Sequence, residues 1–390
     1  MSRVSRPFVG AARALPPAAL LGLALCIGGG LQQAMAGAVP PLKGANPLLH
    51  MVSVFGSDQR VPLPQSLREA GTKLGVLYDS RSHSVCTAFC VAPDAVATAA
   101  HCLYRTSGET PLRLSDFAFR LHGGNPPARI AGSDVGAAEL NVTSGSTRLN
   151  VRPPIDATRD WALVRLAQPA CKGAFKLSRR PVAEVMKLAD EGHVFNIAYH
   201  RDLPKWQPML NAACAVRRNF EDADWQTIKR DFADPEQLLL HTCDTGAASS
   251  GSPLLVDGPD GLEVVGINVG TYVQSKVIML NGEVLHRFRS DDVANTGVNS
   301  LAFASTLDAF LGADTLASRR DVRRLQAGLA AKGLYSGPRD GRFSASLKTA
   351  IENFERAAHM PVSGLATRPL LHALTGESAV VTGKIAAPVR

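Results

Sequence analysis

The sequence predicts an all-β chain followed by a small helical domain, and three observations carry that prediction. Between residue 52 and about residue 312, short apolar runs at 74–78, 85–91, 95–99, 117–121, 161–166, 193–199, 209–216, 254–256, 262–269, 277–280 and 301–305 alternate with Gly, Pro, Asn and Asp. Many short strands separated by turn residues are the signature of a sandwich or barrel. The same region shows little helical spacing. Beyond Gly312 the period changes: Val322, Leu325 and Leu329 follow i, i+3, i+7, while Leu347, Ile351 and Phe354 follow i, i+4, i+7.

Taken in order, residues 1–36 carry Arg3, Arg6 and Arg13 with no acid, then an apolar run from Ala18 to Leu31, then Ala34-Met35-Ala36. A basic start, a short apolar core and an Ala-x-Ala end make a secretory signal peptide cleaved after Ala36. The run is shorter than the roughly 20 residues a spanning helix needs and is broken by glycines, so no stable membrane insertion is expected after cleavage. The protein is expected to be periplasmic or secreted. Residues 37–52 are rich in Pro and Gly and read as a connector or propeptide; 53–312 form the β domain, 318–376 the helical domain and 377–390 a flexible tail.

Of the 390 residues, 45% are hydrophobic and 19% charged, which provides ample material for a core. The formal charge of +8 falls to +5 once the three signal arginines are removed, and the surplus is spread along the chain. Nucleic-acid binding needs clustered basic residues or a recognisable module, and neither is present. No cofactor is implied. His101-Cys102 and His241-x-Cys243 lack two further ligands at suitable spacing, so no metal site is expected.

The chemistry sits in three motifs. Ser249-Ser250-Gly251-Ser252-Pro253 wedges a hydroxyl into a tight loop before an apolar strand. Ala97-Thr98-Ala99-Ala100-His101-Cys102 places a histidine after a strand-like run, and Arg159-Asp160-Trp161-Ala162-Leu163 places an aspartate at the head of another. A neutral serine is a poor nucleophile, so an imidazole must take its proton and a carboxylate must fix the imidazole's tautomer. The order His, Asp, Ser distinguishes this arrangement from other triad orders.

On these residues, together with Phe55-Gly56-Ser57-Asp58-Gln59-Arg60, Cys86-Thr87-Ala88, Cys243-Asp244-Thr245 and Gly266-Ile267-Asn268-Val269-Gly270, the chain resembles trypsin-like serine endopeptidases of the chymotrypsin fold. The resemblance covers roughly residues 50–312 and is strongest to the bacterial branch that includes the glutamyl endopeptidases. It implies two six-stranded antiparallel barrels, His101 as general base, Asp160 as its orienting partner and Ser250 as nucleophile acting on protein or peptide substrates. It also implies an oxyanion hole made by the N–H groups of Ala248 and Ser250, although relatives usually carry glycine at the position of Ala248. That departure motivates the alternative of a catalytically inactive, protease-like cell-wall binding protein. Ser249 replaces an aspartate that, in zymogen-type relatives, pairs with a freed amino terminus.

Resemblance also organises the specificity residues and cysteines. Asp244 lies where trypsin-type relatives carry a pocket-base carboxylate; the competing reading is that it caps the turn after Cys243. Asn268 stands where glutamyl-specific relatives carry histidine, which counts against acidic specificity at that pocket. With Val269 and Gly270 it belongs to the edge strand expected to pair with extended substrate. Six cysteines remain after signal cleavage in an oxidising compartment. Cys86 with Cys102 is the pair implied by the family, Cys214 with Cys243 is the next candidate, and Cys90 with Cys171 follows by elimination.

The helical domain is similar to peptidoglycan-binding-like modules through Leu334-Tyr335-Ser336-Gly337, Asp340-Gly341-x-Phe343, Ala350-Ile351-x-x-Phe354 and Pro361-Val362-x-Gly364, a resemblance that makes peptidoglycan a candidate partner. It departs from that pattern at Ser344, Leu347 and Glu355. A protein-docking or stabilising appendage is the competing reading.

Overall fold

The computed structural model describes residues 52–104, 112–124, 126–212, 214–221, 223–259, 261–280, 283–360 and 362–376. The signal segment, nearly all of the connector and the tail therefore lie outside the described residues. Among the described residues no helix is long and apolar enough to cross a membrane.

The first barrel is a seven-stranded sheet in the spatial order Ala128–Arg129, Phe117–Leu121, Leu74–Asp79, Val85–Ala92, Ala95–Thr98, Ala162–Arg165, Val142–Ser144. It closes on itself where Ile130 bridges Leu166, with Ala131 N donating to Arg165 O and Ala167 N to Arg129 O. The two shortest strands therefore share one wall, and six walls complete the circuit. Phe117, Phe119 and Leu121 alternate inward onto Leu77, Val96, Ile130 and Val164. The strands Val85–Ala92 and Ala95–Thr98 have no polar face. Ala88, Cys90 and Val96 fill the barrel, while Phe89, Val91, Ala95 and Ala97 join the larger core shared with the second barrel. Burial on both faces explains why these segments read as continuous apolar runs.

The second barrel follows the order Leu238–His241, Glu283–Asn299, Gly261–Leu280, Pro253–Gly258, Phe195–Ala198, Met209–Asn211. Val216 bridges His241 and closes the circuit, again with six walls. Val61–Pro62 extends this sheet at Met209–Asn211, and Lys176–Leu177 adds a parallel pair beside Gly261–Leu280. The two barrels are those implied by the resemblance. Disulfides join Cys86–Cys102, Cys90–Cys171 and Cys214–Cys243.

Local expectations differ in two places. Residues 262–269 and 277–280, read as separate strands, form one strand, Gly261–Leu280, whose pairing with Glu283–Asn299 runs to Leu280↔Glu283. Residues 301–305, read as a strand, instead enter the helix Ala304–Gly312, which buries Ala304, Leu307 and Phe310. A further helix, Val182–Asp190, was not foreseen. Its Val182, Val185 and Ala189 pack against Leu239, Leu254 and Val256 of the second barrel.

After residue 318 come the helices Arg319–Ala331, Ala345–Ala357 and Arg368–Thr375. Ser318, Ser344 and Thr367 cap their amino termini by accepting from the N–H groups of Asp321, Leu347 and Leu370. Leu325, Leu329, Ile351, Phe354 and Leu370 form the core, joined by Ala137 and Leu140 from a loop of the first barrel. Buried Gln326 receives Gly341 N and donates to Arg342 O, which fixes the turn between the first two helices. Glu355 accepts from Ser363 N, Ser363 Oγ and Gly364 N.

Candidate active site

Strand register brings His101 to Asp160. Ala95–Thr98 pairs antiparallel with Ala162–Arg165, and Thr98 lies opposite Ala162. His101 follows that pair by three residues, in a single turn at Ala100–Cys102, and Asp160 precedes it by two, after a turn at Ala157–Arg159. Asp160 uses both oxygens on its neighbour: Oδ1 accepts His101 N at 2.9 Å, and Oδ2 lies 2.7 Å from His101 Nδ1. A carboxylate at Nδ1 holds the proton there and leaves Nε2 as the basic nitrogen. Burial alone would lower the imidazole's pKa, but the charge and hydrogen bond of Asp160 outweigh it and raise the pKa above the ordinary 6.5. The Cys86–Cys102 bond anchors this turn to the neighbouring strand. Cys86, Cys102 and His101 have ligand atoms within 4.8 Å of one another, but both sulfurs are consumed by the disulfide.

The serine loop is threaded against the same strands. Thr87 N donates to Ala248 O at 2.8 Å and to Ser250 O at 3.0 Å, and Thr87 Oγ1 donates to Ala248 O at 2.8 Å. Gly251 has φ +84°, and a Cβ there would overlap Thr98 Oγ1 and the Thr87 carbonyl. Only glycine lets the chain come this close, and the contact falls one residue after Ser250 and three before His101. Across the loop, Gly251 N donates to Asn268 O and Asn268 N to Ser252 O, which ties the loop to the second barrel. Ser250 itself is half-buried. The structure draws no hydrogen bond between its hydroxyl and His101 among the described residues; in resting enzymes such contacts are often long and tighten with substrate.

Ala248 adopts φ +81°, a left-handed backbone that costs a Cβ-bearing residue on the order of 1–2 kcal/mol. This conformation turns its carbonyl onto Thr87. Among the described residues, neither the Ala248 nor the Ser250 N–H donates to another group.

Residues 86–267 match the trypsin-like peptidase domain, and residues 318–374 match the putative peptidoglycan-binding domain. This chain carries a trypsin-like peptidase domain. Among solved structures, that of a Glu endopeptidase in complex with MPD is 16% identical, with a TM-score of 0.42 over 66% of this chain and 97% of the other. No curated protein matches.

Just beyond the matched segment, Asn268, Val269 and Gly270 take different places. Val269 and Gly270 line a cavity of about 80 Å³ together with His101, Asp160, Phe232 and Tyr272. Asn268 is buried and donates Nδ2 to Ser249 O and Ser249 Oγ. Its side chain also meets buried His241, whose ring makes no other hydrogen bond among the described residues. Burial lowers His241 to about pKa 4 despite an opposing influence from Asn268.

Asp244 is held by the amino-terminal segment and by Asn211. Its carboxylate is 2% exposed and accepts from Phe55 N at 2.9 Å, Gln59 N at 2.8 Å and Asn211 Nδ2 at 3.1 Å. With its oxygens so engaged, it fastens the amino-terminal strap. The strap also pairs Val52–Ser53 with Thr245–Gly246 and buries Arg60 between Asp58 and Asp202, beside His200. A Cβ at Gly246 would collide with this Arg60–Asp202 pair, so the strap lies directly beneath the chain entering the serine loop. Sequence reading gave no role to Arg60, Thr87, His200 or Asp202. Arg60 and Thr87 stand in motifs that carry the resemblance, but the partners of these residues lie 2 to 161 positions away, so their contacts could not be read locally.

Proposed function

We propose that this protein is a secreted or periplasmic serine endopeptidase that hydrolyses peptide bonds of proteins through a Ser250 acyl-enzyme and is directed to the cell wall by residues 318–376. The two-point grip of Asp160 on His101 carries the reading. An imidazole so held, with a raised pKa, is the base that an unactivated serine requires. His101 Nε2 takes the Ser250 proton as Oγ attacks the carbonyl carbon. The resulting oxyanion is received by the Ala248 and Ser250 N–H groups, which have no acceptor of their own among the described residues. His101 then donates its proton to the leaving amine, and water releases the acyl group by the reverse sequence.

Val269 and Gly270 support substrate on the acyl side, in the apolar cavity beside His101. Export is supported by the three disulfides and by the basic-apolar-Ala-x-Ala leader. The test is digestion of casein and a peptide library by the mature chain. Cleavage abolished in His101→Ala is the expected result, and a wild-type chain that cuts nothing overturns the reading in favour of the inactive, wall-binding alternative. Deleting residues 313–390 should abolish retention on purified sacculi; undiminished retention removes the targeting role.

A further inference from the structure

A second and larger cavity, about 520 Å³, adjoins the serine loop from elements the first does not touch. Val76, Tyr78, Asp79, His83, Val85 and Arg120 of the first barrel form one wall, and Arg201, Leu203, Pro204 and Trp206 of the second form the other. The two cavities share no residue. The first reaches the serine loop through Val269, the residue after the Asn268 whose carbonyl accepts from Gly251 N. The second reaches it through Arg201 N, which donates to Ala247 O at 2.7 Å, and through Val85, two residues from the Thr87 that holds Ala248 and Ser250.

The second cavity is cationic and aromatic. Arg120 lies over the Tyr78 ring at 5.9 Å, and Arg201 Nη2 donates to His83 O at 2.9 Å. Neither guanidinium has a carboxylate partner among the described residues. The acid in the wall is already committed, because Asp79 is 2% exposed and accepts from Arg81 N, Ser82 N and Ser82 Oγ. Trp206 is 49% exposed and packs on Tyr199 at 5.0 Å between centroids, which presents a broad ring to solvent.

We propose that this cavity is a binding site for acidic peptide, which receives carboxylate side chains of the substrate on the leaving-group side of the cut. The assignment rests on the protease reading for its orientation: a peptide held at Val269–Gly270 and passing over Ser250 continues toward Val85 and Arg201. Guanidinium groups recognise carboxylates with paired N–H donors, and the adjoining rings cover the aliphatic parts of the chain. Both arginines are exposed, which limits the strength of each contact and makes it sensitive to salt.

The test separates binding from catalysis. Fluorescein-labelled hexaglutamate and hexaglutamine are titrated by anisotropy against the full mature chain carrying Ser250→Ala. Hexaglutamate should bind more tightly, lose affinity with added salt, and weaken by about tenfold when Arg120→Ala and Arg201→Ala are combined. Equal affinity for the two peptides, or hexaglutamate binding unaffected by the double substitution, overturns the site. In a library digest by the wild type, Asp and Glu should be enriched within a few residues after the cut, and a profile lacking that enrichment also overturns it. A chain that binds hexaglutamate through these arginines but cuts nothing sinks the protease reading and leaves the acidic-peptide site standing.

Discussion

Asp160 and Asp244 are both buried carboxylates that accept from backbone N–H groups, yet the two do different work. Asp160 divides its oxygens between the His101 main chain and the His101 ring, so its charge bears on a proton. Asp244 binds two backbone amides of the strap and the side chain of Asn211, so its hydrogen bonds bear on chain position. Burial and a nearby serine therefore do not make a carboxylate functional. What decides is whether one of its partners can change protonation state.

The largest expected effect that separates the two is on turnover. Asp160→Asn should lower kcat by about 10³- to 10⁴-fold, because the amide no longer fixes the Nδ1–H tautomer, while the thermal midpoint changes little. Asp244→Ala should do the reverse: it leaves Phe55 N, Gln59 N and Asn211 unpaired, costs on the order of 3 kcal/mol and lowers Tm, with the strap becoming susceptible to limited proteolysis. Equal loss of activity in both variants, with equal stability, would erase the distinction.

Gly251→Ala should damage both properties together, since its Cβ would overlap Thr98 and Thr87 and its φ of +84° disfavours any side chain. A loss of at least about 2 kcal/mol in denaturant unfolding, together with failed cleavage, is the expected outcome.

Acidity should separate the site from the core. In the proposed mechanism the neutral form of His101 is the base and its pKa is raised, so the acid limb of kcat/KM should lie above pH 6.5 and move down in Asp160→Asn. His200 and His241 are buried and lowered to about 4, the first by burial and then by the charge of Arg60. Between about pH 6.5 and 4 the unfolded chain binds protons at these residues that the folded chain does not. Stability should therefore fall as pH drops through that window, by up to about 3 kcal/mol per histidine. Acid unfolding of His241→Gln set beside the wild type checks this, with a shallower pH dependence expected for the variant.

The order of the three chemical motifs and the short-strand pattern made the barrels and the His101–Asp160 pair legible in the sequence, because each is marked by residues within a few positions. The Cys90–Cys171 bond was reachable only by exhaustion, since 81 residues separate its ends. The strap was not legible. Phe55, Gln59 and Asp244 meet through main-chain amides that leave no residue-type signature, and Arg60 is buried against a partner 142 residues away. Helix Val182–Asp190 did carry a local signal, apolar residues at i, i+3 and i+7 behind Pro181, but it is short and set among strands. Ala248 shows the converse: its residue type argued against a left-handed backbone, and the hydrogen bonds of Thr87 to its carbonyl accompany that conformation.

Whether Ser250 is a nucleophile activated by His101 is tested most directly by intact-protein mass spectrometry after treatment with a fluorophosphonate. The account predicts a single adduct that maps to Ser250, is absent in Ser250→Ala and forms far more slowly in His101→Ala. A folded mature chain that takes no adduct, or one whose adduct persists in Ser250→Ala, would contradict it.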